Sequence, residues 1–414
     1  MTRFKNKFDK NFSIFLVLLV AFIDYFGIGL VYPLFSSMFF SSDSLFFAPE
    51  VSASVRGFYL GLLLSLQPLF QFFSAPVLGT FSDQKGRKKM LIFALCIALV
   101  GYFIGFLAVY SYSLLGLLLF RIIVGVSAGS TSVVQASLAD ISTKETKTKN
   151  FGLYNMALGT GFTLGPFLGG KLTDPNFLPF ATFSTPFLIT VLVVALNLLL
   201  VVFFYRETLK TKKKKELSIW VGLQSLQKIF KLKKIRILFL CTFVYIFGWS
   251  FFFEFMPVYL INAFNFTPQN IGNVFGVAGL SFALSSGIFI RPIVNRYKAQ
   301  TILFFAPILM SIIIFSIALS KVVPVLYILF CVTTFFAALI LPSLTAVVSN
   351  FVEEDVQGEV LGLLSSTIGL ALAVSPLFSG AIVGAYPIMP IVIGGGCMLL
   401  TSAIIASSLR TYYK

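Results

Sequence analysis

The sequence predicts an all-α integral membrane protein, with twelve transmembrane helices arranged as two pseudo-symmetric six-helix bundles. Three observations predict it. Of the 414 residues, 58% are hydrophobic and only 11% charged, with 50 phenylalanines; so few charges cannot cover that apolar content in water, and hydrocarbon has to be part of the solvent. The apolar residues fall into twelve runs near the roughly 20-residue length a bilayer demands, and at that depth the runs have to be helices. Finally, the fifth run contains Gly159-Thr-Gly161-Phe-Thr-Leu-Gly165-Pro166-Phe-Leu-Gly169-Gly170. It aligns without gaps on Gly369-Leu-Ala371-Leu-Ala-Val-Ser375-Pro376-Leu-Phe-Ser379-Gly380 in the eleventh. Repeats of six helices suit a machine in which two bundles rock about a shared site.

Span 1 (13–38) follows a basic N-terminus, the outline of a signal peptide. No small-x-small cleavage site follows, however, and the run continues past Asp24, so an uncleaved span is expected. Span 2 (57–79) carries Gln67 and Gln71 one turn apart on one face. Between it and span 3 (90–110) lies Gly79-Thr-Phe-Ser-Asp83-Gln-Lys85-Gly86-Arg87-Lys88-Lys89, expected as a tight loop. Topology signalling explains its cations. It does not explain an acid set between two glycines. Span 4 (113–139) holds Arg121 and ends at Asp140. In span 5 (151–170), Gly161, Gly165 and Gly169 at i, i+4 and i+8 make one smooth face for close helix approach, with Pro166 as a bend between them.

Span 6 (184–205) leads into residues 206–236, which contain 11 lysines and arginines against two acids, Glu207 and Glu216. This reads as a solvated cytosolic linker between the bundles 1–205 and 237–414. Within it, Leu217–Phe230 has an amphipathic reading with Trp220 as interfacial anchor, and Lys212–Lys215 a reading as an anionic-lipid contact. The second half places spans at 237–262, 271–292, 302–320, 324–349, 359–383 and 388–408. Gly287-x3-Arg291, before Arg296 and Lys298, is a degenerate echo of Gly79-x3-Asp83.

The net charge of +16 sits in short loops and therefore reads as a topology signal, not as a nucleic-acid face. With the N-terminus cytosolic, the cytosolic segments hold 27 of the 31 basic residues; Arg56, Lys171 and Lys321 lie outside and Arg121 lies within a span. Both termini are therefore expected in the cytosol. There is no histidine, so proton chemistry falls to carboxylates. Cys96, Cys241, Cys331 and Cys397 are far apart in apolar runs and read as packing residues. No metal or cofactor is expected, and no nucleophile, base and metal constellation suggests an enzyme.

Asp24 lies about 10 residues into span 1, roughly 15 Å deep, and Arg121 enters span 4 from the other side to ~12 Å. The two are within an arginine's reach. A charge in hydrocarbon is expensive and tends to mark function, whereas a buried pair is weak evidence for stability alone. Asp24 and Arg121 are accordingly expected to couple protons. Glu254, about 17 residues into span 7, has three readings: a second proton site, a contact for cationic substrates, or a side chain snorkelling to the interface. Tyr25, Gln67, Gln71, Gln135, Asn155, Tyr245 and Trp249 are candidates for a substrate cavity, each with an alternative as a helix-to-helix hydrogen bond.

The pattern Gly79-x3-Asp83-x2-Gly86-Arg87-Lys88 resembles the loop between helices 2 and 3 of the major facilitator superfamily of secondary transporters. Asp24-Tyr-Phe-Gly27-Ile-Gly29-Leu-Val-Tyr-Pro33 resembles the first-span motif of its twelve-helix drug:proton antiporters, especially the tetracycline-efflux type. Arg121-Ile-Ile-Val-Gly125-Val-Ser-Ala-Gly129 resembles their fourth-span motif, and Gly161-x3-Gly165-Pro166-x2-Gly169-Gly170 the fifth-span motif linked to antiport. Arg206-Glu207-Thr208 resembles their exit from span 6.

The resemblance covers the first half well and the second mainly by topology. It implies proton-coupled export of an amphipathic small molecule by alternating access across a bacterial inner membrane, and a monomer is expected. It also implies a gating latch in which Arg87 binds Asp140 while Asp83 faces the start of span 11 near Gly358. One departure counts against tetracycline as substrate: where those exporters carry an acid in span 3, this chain has Gly101, followed by Tyr102. The rivals are a nutrient or siderophore symporter, which the antiport motif disfavours, and a non-transporting receptor, which would not need Asp24 and Arg121.

Overall fold

A computed structural model describes residues 7–41, 44, 46–143, 146–209, 211–212, 236–350 and 357–412. Every regular element among them is helical. The first half forms α1 (Lys7–Phe40), α2 (Ala53–Lys85), α3 (Arg87–Tyr110), α4 (Leu114–Ala128), α5 (Ser130–Ile141), α6 (Lys147–Lys171) and α7 (Thr185–Phe204). The second forms α8 (Arg236–Phe264), α9 (Pro268–Leu284), a π turn (Ser285–Phe289), α10 (Ile290–Arg296), α11 (Ala299–Leu319), α12 (Val323–Asn350), α13 (Gln357–Val383) and α14 (Met389–Tyr412). Among the described residues, eleven helical stretches are long and apolar enough to cross a membrane, with α4 and α5 counting as one and α9 counted together with the π turn. The remaining expected span is α6, whose 25 residues are diluted by glycine, threonine and asparagine.

Four expectations are corrected in detail. The stretch 79–89 is not a loop. α2 runs on to Lys85 and α3 begins at Arg87, so Gly86 alone makes the turn, at φ 112° and ψ 148°. That region of backbone space is open to glycine and strained for other residues, which explains why one residue suffices. Span 4 is interrupted at Gly129, and in span 8 the echo residue Gly287 lies inside the π turn. Cys96 is exposed, unlike buried Cys241, and lies on the same helix as outward-facing Phe93, Val100, Phe103 and Leu107. The linker stretch Leu217–Phe230, with Trp220 and Lys213–Lys215, lies outside the described residues.

The chain divides into two compact units, one made of residues 1–34 and 66–221, the other of 35–65 and 222–414. In the first, α7 turns Leu188, Leu192, Leu196, Leu199 and Phe203 outward. Their spacing of three or four residues draws one apolar stripe, suited to lipid. On the inner side Phe187 packs edge-on against Phe120 of α4, with ring centroids 5.5 Å apart.

In the second unit, the first turns of α2 lie main chain to main chain on α13. A side chain at Gly380 would meet the Gly57 carbonyl at 2.5 Å, and one at Gly384 would overlap Ala53. The internal repeat is visible as packing. Within the first unit, a side chain at Gly165 would meet the Phe26 carbonyl of α1 at 2.5 Å. The aligned residue in the second, Ser375, donates its hydroxyl to the Phe247 carbonyl of α8 at 2.9 Å. The fifth helix of each half thus lies directly on the first.

Candidate functional site

The first unit holds the acid near the centre of its longest helix. α1 has 34 residues, and Asp24 falls at their middle. The small face of α6 sets its position. Side chains built on Gly161 and Gly165 would each meet an α1 carbonyl, Phe22 and Phe26 respectively, at 2.5 Å, and one on Gly169 would meet the Leu30 carbonyl at 3.1 Å. The helices therefore run in parallel register on both sides of Asp24, and Pro166 fits against Gly29. Gly170 contributes its carbonyl, which accepts from Thr173 Oγ1 at 2.8 Å.

The break in span 4 supplies the partner. At Gly129 the helical ladder is interrupted, and α2 binds carbonyls just before it: Gln71 Nε2 donates to the Ala128 carbonyl at 3.2 Å and Ser74 Oγ to that of Gly125 at 3.3 Å. A side chain at Gly129 would come within 2.8 Å of the α2 backbone, so the break is wedged in place. Immediately after it, Ser130 Oγ donates to Asp24 Oδ2 at 2.9 Å.

The expected Asp24–Arg121 contact takes a different form. Arg121, 2% exposed, donates through Nη1 to Gln67 Oε1, while the partly exposed Asp24 uses Ser130. Each charged group thus has a neutral partner from a neighbouring helix, and no ion pair among the described residues ties Asp24 to a cation. Gln67 and Gln71 both serve helix-to-helix bonds. Gln135 Nε2 donates to the Tyr154 hydroxyl at 3.2 Å, and Tyr154 lies within electrostatic range of Tyr25 and Asp24. Asn155, on the next residue of α6, is exposed.

Asp83, Gly86, Arg87, Lys88 and Asp140 form a second cluster at the helix ends. Arg87 Nη2 lies 2.7 Å from Asp83 Oδ1, and its Nε lies 3.0 Å from Asp140 Oδ2. Gly79 packs α2 against Ser132 of α5. Residues 351–356, which precede α13 and the expected Asp83 partner near Gly358, lie outside the described residues.

Glu207 completes this cluster. It accepts from the backbone N–H groups of Arg87 at 2.9 Å and Lys88 at 3.2 Å, and from that of Leu209 at 2.9 Å. A carboxylate at a helix N-terminus meets both unpaired N–H groups and a favourable dipole, and any side chain at Gly86 would overlap it. Beside it, the hydroxyl of buried Tyr205 lies 3.3 Å from Thr208 Oγ1. The available signal in the sequence was an acid opening a strongly basic linker. Arg87→Ala removes charge-assisted hydrogen bonds of about 1.5–3 kcal/mol each. It should expose the fully buried Ser137 behind the cluster. A cysteine placed at Ser137 should then react at least several-fold faster with a membrane-impermeant thiol reagent; an unchanged rate in a folded variant would reduce the cluster to a topology signal.

In the second unit Glu254 is 5% exposed and accepts from Ser250 Oγ at 2.9 Å. The snorkelling reading is thereby corrected, because the side chain is enclosed by protein. Tyr245 donates to the Ala337 carbonyl at 3.4 Å, and Trp249 stacks on Phe253 with centroids 4.9 Å apart.

The Major Facilitator Superfamily profile matches residues 17–323 and 238–412. The tetracycline resistance protein, class H, of Pasteurella multocida is 32% identical over 203 residues, a match covering 48% of this chain but only 46% of that protein. The class C tetracycline resistance protein of Escherichia coli is 26% identical over 395 residues, 91% of each chain. Among solved structures, the human organic anion transporter MFSD10 (TETRAN) superposes with a TM-score of 0.71 at 22% identity, covering 96% of this chain and 99% of that one. At that identity the likeness speaks for the fold: twelve membrane helices in two six-helix bundles.

Proposed function

The chain belongs to the Major Facilitator Superfamily, and we propose that this membrane transporter is a proton-coupled exporter of amphipathic small molecules working by alternating access. One observation carries the reading. Asp24 lies at the middle of α1, partly accessible, and bonded to the neutral hydroxyl of Ser130. A carboxyl without a fixed cation can gain and lose a proton as its access alternates, which is what coupling requires. The halves 1–205 and 237–414 would rock about the site, joined by 206–236, with both termini in the cytosol of a bacterial cell. Relatives named for drug resistance, such as multidrug resistance protein 2 of Bacillus subtilis, 26% identical over 387 residues, support export of drug-like molecules. Gly101 in α3 argues against tetracycline itself. The direct test is concentrative transport in proteoliposomes under an imposed pH gradient, with a panel of lipophilic cations, organic anions, tetracyclines, amino acids and siderophores. Accumulation of siderophores or amino acids in the direction of proton flow would replace the reading by a symporter.

Glu254 is assigned a supporting part. In Glu254→Gln the amide oxygen still accepts from Ser250, so the fold is kept. Gradient-driven export should persist at a rate reduced about threefold to tenfold, equivalent to ~0.7–1.4 kcal/mol. Complete loss of coupling in this variant would move the proton carrier to the second half.

A further inference from the structure

Between Met90 and Val109, α3 carries one hydroxyl, that of Tyr102. The side chain is 2% exposed. Its hydroxyl occupies the space beside Gly27 of α1, one turn beyond Asp24: a methyl group at Gly27 would overlap Oη and lie 2.7 Å from Cζ. The ring packs on Phe120, the residue before Arg121, with centroids 5.4 Å apart. The preceding residue, Gly101, brings the α3 backbone onto Val124 and Ile123, where a side chain would lie 2.7 and 3.1 Å from their methyl groups. Tyr102 thus crosses from α3 to the Asp24 turn of α1 and is braced by the Arg121 turn of α4. It lies within electrostatic range of both charged groups. α7, also packed on α3, carries no titratable side chain between Thr185 and Phe204.

A carboxyl that cycles its proton alternates between accepting hydrogen bonds only and donating one. The partner that suits both states is a hydroxyl, which can donate or accept by rotation. Asp24 has Ser130 on Oδ2, and Tyr102 brings a further hydroxyl from α3 to the same turn of α1. We infer that Tyr102 is a positioning residue of the coupling site, its hydroxyl held over Gly27 so as to donate to the Asp24 carboxylate and accept from the protonated acid. The glycine of the first-span motif then has a specific reason: it makes room for this hydroxyl.

The inference rests on Asp24 as proton carrier, and the experiment separates the two. The full chain is reconstituted in lipid and its infrared difference spectrum recorded across pH steps, with no substrate needed. The wild type should show the carbonyl stretch of a protonated carboxyl, and Asp24→Asn should lose it. Tyr102→Phe, which keeps the ring, and Gly27→Ala, which displaces the hydroxyl without removing it, should both keep the band but shift it to higher frequency, because the O–H of the protonated acid has lost its hydrogen-bond acceptor. A band unmoved in both variants overturns the role of Tyr102 and leaves Asp24 as carrier. A band that persists in Asp24→Asn overturns the reading of Asp24 and the inference with it.

Discussion

Asp24→Asn is expected to abolish gradient-driven export, down to the level of empty vesicles, while leaving substrate exchange at equal pH in place. The amide matches the carboxylate in shape and can still accept from Ser130 Oγ, so the break at Gly129 and the packing of α1 on α6 survive. What it cannot do is carry a proton. A transporter whose states interconvert only when the acid is either protonated or loaded has no driving force once that site is fixed neutral, because a gradient biases an equilibrium only through a group that binds differently in the two states. The measurement compares concentrative uptake under a pH gradient with counterflow at equal pH, in the same vesicles. Accumulation by Asp24→Asn would remove this aspartate from the mechanism, and Glu254, a buried acid within span 7 that accepts from Ser250 Oγ, would take its place.

Gly165→Leu is expected to stop both export and exchange while the protein still inserts. A Cβ here would lie 2.5 Å from the Phe26 carbonyl and 2.8 Å from the Leu30 nitrogen. Backbone atoms of a helix cannot step aside as a side-chain tip can. Overpacking a tight core costs about 1–3 kcal/mol even when neighbours can adjust; here relief requires α1 to move away from α6, carrying Asp24 from Ser130. Gly159→Leu is the control, since nothing lies within 4 Å of the corresponding point, and it should transport like the wild type. Equal loss in both variants would mean that span 5 is sensitive to bulk in general, and that its small face has no special role.

The Arg87 cluster and the surroundings of Asp24 were legible to different degrees. Asp24 and Arg121 were readable because a charge in an apolar run stands out against its surroundings, whereas Arg87 and Asp140 were readable through the resemblance to the family's loop between helices 2 and 3. Glu207 was not, because an acid at the start of a basic linker looks like ordinary solvated charge until Gly86 folds the end of α3 onto it. Tyr102 looked like one more aromatic among 50 phenylalanines and 15 tyrosines. Ser130 was hidden for a similar reason, since a serine in a span gives no sign of which helix it will face.

By itself the sequence determined the number and order of the membrane helices, the repeat between halves and the glycine face of span 5. These depend on hydrocarbon thickness and on side-chain volume, both properties of residues taken one at a time or at short spacing. The tertiary structure decided which groups became partners: Asp24 with Ser130, Arg121 with Gln67, Arg87 with both Asp83 and Asp140, and Glu207 with the backbone of α3. A hydrogen bond is made within about 3 Å. Helical depth alone locates a side chain along one axis, and only the packing of small faces such as Gly161, Gly165 and Gly169 settles the other two.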